Sequence, residues 1–240
     1  MKSNSRSPDG FTLIEITVVL AVIMLLVGIL IPSIANYIDD SKQIKAREDL
    51  KIIALTMVRF RIDNGQSCFR RDATLACTKA NRVDLLESDG PDVVAANVTN
   101  TAFSSAEISG GGINWHNDGS TVATMKDHFV LNTPLYSTPR ENILTYPGEF
   151  HIPGWRGAYI STTPIGPDPW GKKYLVNSVF LSTATDAASG TAEGQKSGGW
   201  SYDVFVISAG PNGLYETSFG QLNAVASGDD IIHVITGDTH

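Results

Sequence analysis

Glu15 is the one charged side chain between Phe11 and Ile38. A carboxylate inside so apolar a run costs about 2.5–3.5 kcal/mol if it stays unpaired in lipid, so it requires a partner. The turn formers Pro8, Asp9 and Gly10 end abruptly at Phe11, as a polar leader does where it is to be removed. Near the other end, Asp229 and Asp230 supply adjacent carboxylates, and Asn212-Gly213 forms a turn signal upstream. Cys68 and Cys77 enclose a short loop whose spacing fits no zinc pattern. His116, His128, His151, His233 and His240 are scattered. No G-x-S-x-G, H-E-x-x-H, Walker loop or C-x-x-C is present, so no enzymatic constellation is legible.

These residues need elements to position them. The run from Phe11 is long enough to cross a bilayer as one helix. Lys2 and Arg6 precede it and Asp39 and Asp40 follow it, which puts the N-terminus in the cytoplasm and the bulk of the chain outside. A secretory signal would carry an A-x-A-like site after the apolar region, and Ser33-Ile34-Ala35 is a poor one. No strong stop follows until Asp63-Asn64-Gly65, so the helix is expected to continue to about residue 63, roughly 80 Å of chain. Pro32 and Gly28 are its expected bend points, and Gly65 suits the position just past its end. Leu50, Ile53, Met57 and Phe60 recur at helical spacing and form a core-facing stripe. Lys42, Lys45, Arg47, Glu48, Asp49 and Lys51 fill the other faces.

Two hundred and forty residues allow an anchor and one sizeable globular domain. Lys and Arg number 18 against 25 Asp and Glu; without residues 1–10 the count is 16 against 24, a net of −8. So acidic a chain argues against nucleic acid as a partner. Arg59, Arg61, Arg70 and Arg71 read as a solvated helix end with its loop. Outside the cytoplasm the cysteine pair oxidises, and closing about ten residues stabilises by roughly 2–3 kcal/mol. Residues 66–165 are rich in Ser, Thr, Asn, Asp and Gly and read as a loop-rich insert, broken at Gly110–Gly112. Within it Val83–Leu86 reads as a helical turn and Asp127–Asn132 as a short strand. Residues 166–240 read as sheet: Tyr174–Val176, Tyr202–Ser208 and Ile231–Ile235 as antiparallel strands, Gly190–Gly199 as an exposed hairpin loop, and Trp170 as a large aromatic buried in a turn.

The motif G-F-T-L-I-E resembles the type III signal of type IV pilins and type II secretion pseudopilins. The resemblance implies that a prepilin peptidase cuts between Gly10 and Phe11 and methylates the new amine on Phe11. Glu15 would then meet a neighbour's N-terminal amine, and Pro32 also falls at a family position. Asp9 departs from the basic residue frequent before that Gly. The segment A-R-E-D-L-K-I-I-A-L-T-M-V-R-F-R-I-D-N-G and the series G-W-R-G, D-P-W-G and S-A-G-P-N-G followed by D-D-I are similar to the major pseudopilin. The resemblance covers about residues 11–65 and 154–235.

It implies one calcium ion in the last loops. Ca²⁺ takes six to eight hard oxygens, and the resemblance assigns Asp229, Asp230, Asn212 and the backbone carbonyls near Ala209 and Leu214. Asn212 stands where the family carries Asp, which removes a charge, and sixteen residues separate it from Asp229. The alternative is an Asn-Gly turn beside a solvated acidic pair.

The expected fold class is α+β and pilin-like: a leader at 1–10, a transmembrane half-helix at 11–38, an amphipathic half at 39–65, the insert, and the sheet region. The implied function is a structural subunit of a type II secretion pseudopilus. Its implied partners are further copies in a helical filament, the prepilin peptidase, minor pseudopilins, an inner-membrane platform and membrane lipid. A surface type IV pilin is the alternative, and a membrane-anchored extracytoplasmic enzyme a third class.

Overall fold

The structure, a computed structural model, describes residues 10–64, 69–71, 81–99, 115, 122–133, 154–160, 165–181, 195–196 and 200–236. The expectations for residues 1–9, Gly65, Cys68, Cys77 and Gly110–Gly112 lie outside those residues. The chain divides into two compact units, Met1–Lys42 and Gln43–His240. Helix α1, Leu13–Asn64, contributes to both.

In the first unit, every side chain described from Phe11 to Ser41 is exposed, including Phe11 at 84% and Met24 at 72%. The helix start is set locally. Thr12 caps α1 and Glu15 is its first acidic residue, where the helix dipole favours negative charge. Long apolar side chains then hold the helix through more than six turns. By length and composition this stretch is able to cross a membrane.

In the second unit, Ala46, Leu50, Ile53, Ala54, Met57 and Phe60 of α1 are buried, as their spacing predicts. Each large side chain so buried contributes about 1.5–3 kcal/mol relative to exposure. Polar contacts fix the register: the Tyr174 hydroxyl donates to Asp49 Oδ2 at 2.9 Å, and Lys45 Nζ reaches the same oxygen at 3.2 Å. Asn64 ends the helix by donating its side-chain amide to the Phe60 carbonyl at 2.8 Å.

The sheet has five strands in the order β2-β1-β3-β6-β7, with β1 Leu85–Glu87, β2 Val122–Thr124, β3 Leu175–Val176, β6 Val204–Ser208 and β7 Ile231–Thr236. β1 and β2 run parallel; β1 with β3, β3 with β6 and β6 with β7 are antiparallel. The fold is therefore α+β and pilin-like. β6 is buried at all five positions, which fits the apolar run Val204–Ile207 in an interior strand flanked by β3 and β7. A separate hairpin pairs β4, Gln195–Lys196, with β5, Trp200–Ser201; β4 falls inside Gly190–Gly199, the stretch read as a loop, and β5 just beyond it.

Several local expectations fail for identifiable reasons. Val83–Leu86 is not a helical turn: Leu85–Glu87 is a strand, fixed by pairing with β2 and β3. Asp127–Leu131 is a π-helical turn rather than a strand, closed by Asn132 in the left-handed region at φ 52°. Residues 66–165 are not only insert, since they supply β1 and β2. Arg70 is buried, not solvated: it bridges Arg82, and the flanking backbone pairs through Arg71 N–H to Asn81 and Val83 N–H to Phe69. Trp170 is only half-buried; a fully buried indole is that of Trp115, whose Nε1–H donates to the Thr217 carbonyl at 2.7 Å.

Candidate assembly terminus and metal loop

The two groups singled out by the sequence lie in different units. At the head of α1, Glu15 has a partner within its own chain. Its Oε2 accepts from the Thr12 backbone N–H at 2.9 Å and from the Thr12 hydroxyl at 2.8 Å, while Glu15 N–H donates back to Thr12 Oγ1 at 3.4 Å. This is a reciprocal capping box, T-x-x-E, legible in the sequence but not extracted from it. Among the described residues Glu15 Oε1 accepts no hydrogen bond. A Cβ added at Gly10 would meet nothing within 4 Å, so packing imposes no glycine there. Pro32 lies within α1.

The C-terminal group is built by two loops that close on each other. One follows β6 and the other precedes β7. Asn212 N–H donates to Asp229 Oδ2 at 2.7 Å. Asp230 Oδ2 accepts from Glu216 N–H at 2.8 Å and from Thr217 N–H at 2.6 Å. Glu216, which the sequence reading passed over, ties the knot. Its Oε2 accepts from Asn212 Nδ2 at 2.9 Å and from Asp229 N–H at 3.4 Å. Two glycines are required by this approach. At Gly210, φ +63°, a Cβ would collide with the Asp229 carbonyl; at Gly228, φ +62°, with the Glu216 carboxylate.

Asp229 Oδ1 and Asp230 Oδ1 are buried and accept no hydrogen bond. Burial pushes the Asp230 carboxyl up to about 6, with neighbouring Glu216 adding to the effect. Two orphaned buried oxygens from adjacent carboxylates fit a hard cation. Asn212 is less free than expected, since its Oδ1 accepts from Leu214 N–H at 2.6 Å. Among the described residues no three His, Cys, Asp or Glu side chains stand as a metal-holding group. Ala209 is fully buried at the end of β6 and Leu214 is half-buried.

Of the five histidines, His116, His151 and His240 lie outside the described residues; His128 is buried against Phe60 and Phe69, and His233 lies on β7. Asn177, unmarked in the sequence, is a buried structural hub. It donates to the Asp203 and Phe219 carbonyls and accepts from Phe205 N–H at 2.8 Å.

Residues 6–31 match a family model described as the prokaryotic N-terminal methylation motif. Fifty-nine residues are 36% identical to the type II secretion system core protein G of Pseudomonas aeruginosa, covering 25% of this chain and 42% of that protein. The similarity thus spans less than half the relative's length. No solved structure matches. Together the motif and the relative support a pseudopilin-like family and point to a structural subunit rather than an enzyme.

Proposed function

We propose that this chain is a structural subunit of a type II secretion pseudopilus, anchored in the bacterial inner membrane with Gln43–His240 in the periplasm. The observation that carries the reading is the stretch from Phe11 to Ile38, exposed at every described side chain and uncharged but for a capped carboxylate at its head. Such a surface must be covered by lipid before assembly and by other copies afterwards. A prepilin peptidase cuts between Gly10 and Phe11 and methylates the Phe11 amine. The unconstrained space around Gly10 is consistent with a glycine kept for recognition rather than packing.

Cleavage creates an amine close to two hydrogen-bond donors on Thr12. These hold Glu15 Oε2 in place and leave Oε1 for the amine of a neighbouring copy. Pairing across subunits offsets two desolvation costs and fixes the axial register. Minor pseudopilins and an inner-membrane platform join the assembly, which helps drive folded proteins outward. The Cys68–Cys77 pair is the proposed disulfide. In the C-terminal loops Asp229 and Asp230 would hold one calcium ion, with Asn212 and the carbonyls of Ala209 and Leu214 as neutral ligands. The ion would neutralise two adjacent carboxylates and pin the loop before β7.

Expression in a host carrying the peptidase and assembly machinery tests this reading. The membrane-extracted protein should lose ten residues and gain a methyl group, and filaments should form. Glu15→Ala should leave Gln43–His240 folded while filaments disappear. Full-length mass in that host, or normal filaments from Glu15→Ala, would overturn it.

A further inference from the structure

A second feature of Gln43–His240 shares only Asp230 with these roles. A cavity of about 460 Å³ opens between α1 and β7, lined by Arg47, Lys51, His233, Asp230, Ile231 and Ile232. Arg47 and Lys51 are exposed and one helical turn apart, so both cations face the same side. Among the described residues neither makes a hydrogen bond or an ion pair, unlike Lys45, Arg82 and Lys173. The single acid in the lining, Asp230, has its Oδ2 spent on the N–H groups of Glu216 and Thr217. The result is a cationic pocket with apolar walls in a chain whose net charge is −7.

Four exposed acids among the described residues have carboxylates without a hydrogen bond or ion pair: Asp39, Asp40, Glu48 and Asp89. Of these four, only Asp39 and Asp40 are neighbours in sequence; about 100° apart around α1, they place two negative charges within a single turn of the helix.

We propose that the Arg47–Lys51 pocket receives the Asp39–Asp40 pair of a second copy of this chain, an ion-pair contact between neighbouring subunits. This rests on the filament reading above and names a contact within it that is separate from the Glu15 pairing. Arg47 supplies a planar fork suited to a carboxylate, and Lys51 a second cation on the same face. Ile231 and Ile232 lower the local dielectric, which strengthens the pairing.

The test uses the full-length chain in an assembling host. Arg47→Glu with Lys51→Glu should cut filament yield at least tenfold, as should Asp39→Lys with Asp40→Lys. The four substitutions together should restore much of it, because the charges are exchanged. A second measurement avoids charge reversal: copies carrying Asp40→Cys mixed with copies carrying Arg47→Cys should give a disulfide dimer in filaments, and neither alone should. Wild-type yield from the Arg47 and Lys51 reversal would overturn the pairing. So would absence of the mixed dimer in filaments that form normally. If that reversal leaves filaments intact but weakens retention on phosphatidylglycerol-rich liposomes, the pocket serves lipid and the proposal is wrong. A wild-type chain that forms no filament fails the function proposed above, and the pairing with it.

Discussion

His128 is fully buried, with the rings of Phe69 and Phe60 at centroid distances of 5.4 and 6.3 Å in edge-on geometry. Burial pushes its imidazole down to about 3, from an ordinary 6.5. The folded state therefore holds the neutral form while the unfolded chain takes up a proton below about pH 6.5. Its contribution to stability is complete above that pH and is lost as pH falls towards 3, by at most about 1.4 kcal/mol per unit. Urea unfolding at pH 7.5 and 5 should show this loss, and His128→Phe should flatten that part of the difference. An equal pH slope in both proteins would mean that His128 is protonated in the fold. At the other end of the chain, Thr12→Val removes the cap that holds Glu15. It should cost about 1 kcal/mol at the start of α1, slow assembly, and leave the melting of Gln43–His240 unchanged; Thr12→Ser should behave as wild type.

Two surfaces of α1 within Gln43–His240 carry different energies. Met57 is fully buried, so Met57→Ala should destabilise by about 2–5 kcal/mol in denaturant titration. Ile62 is 71% exposed on the same helix, and Ile62→Ser should stay within about 0.5 kcal/mol. The buried stripe was legible because helical spacing needs only local sequence. β3, β6 and β7 were legible because Val, Ile, Tyr and Phe cluster between turn signals. β1 and β2 were not: each has three residues, too few for alternation to show, and they exist through pairing across 37 positions between Leu85 and Val122. The metal loop was half legible for a similar reason. Adjacent aspartates are visible in any sequence, but Glu216 meets Asp229 only because Gly210 and Gly228 let two distant loops close.

For the whole molecule, the loop closure has a thermodynamic consequence. If calcium fills the gap beside Asp229 Oδ1 and Asp230 Oδ1, it binds only the folded state and raises stability by mass action. At a hundred times its dissociation constant the gain is about 2.7 kcal/mol. The full-length protein in detergent should melt higher in millimolar Ca²⁺ than in chelator. Asp229→Ala with Asp230→Ala should abolish the difference, and Asn212→Asp should enlarge it by restoring a charge. Identical melting in both conditions would leave a hydrogen-bonded acidic turn without a metal.

The strand order β2-β1-β3-β6-β7 also sets a schedule. The ribosome finishes Phe60, at the end of the buried stripe, long before Ile231, the first residue of the last strand. At ordinary synthesis rates of 5–20 residues per second, that interval is about ten to thirty seconds. Throughout it Leu50, Ile53, Met57 and Phe60 are made while β7 and its pairing with β6 do not yet exist. Through those seconds the unfinished chain presents sticky surface to other unfinished chains; if Gln43–His240 is exported as proposed above, the same unfinished state is the one that threads outward. Completion of the sheet and misassembly compete on one clock, so slower translation of 166–240 should raise the demand for chaperones more than slower translation of 1–42.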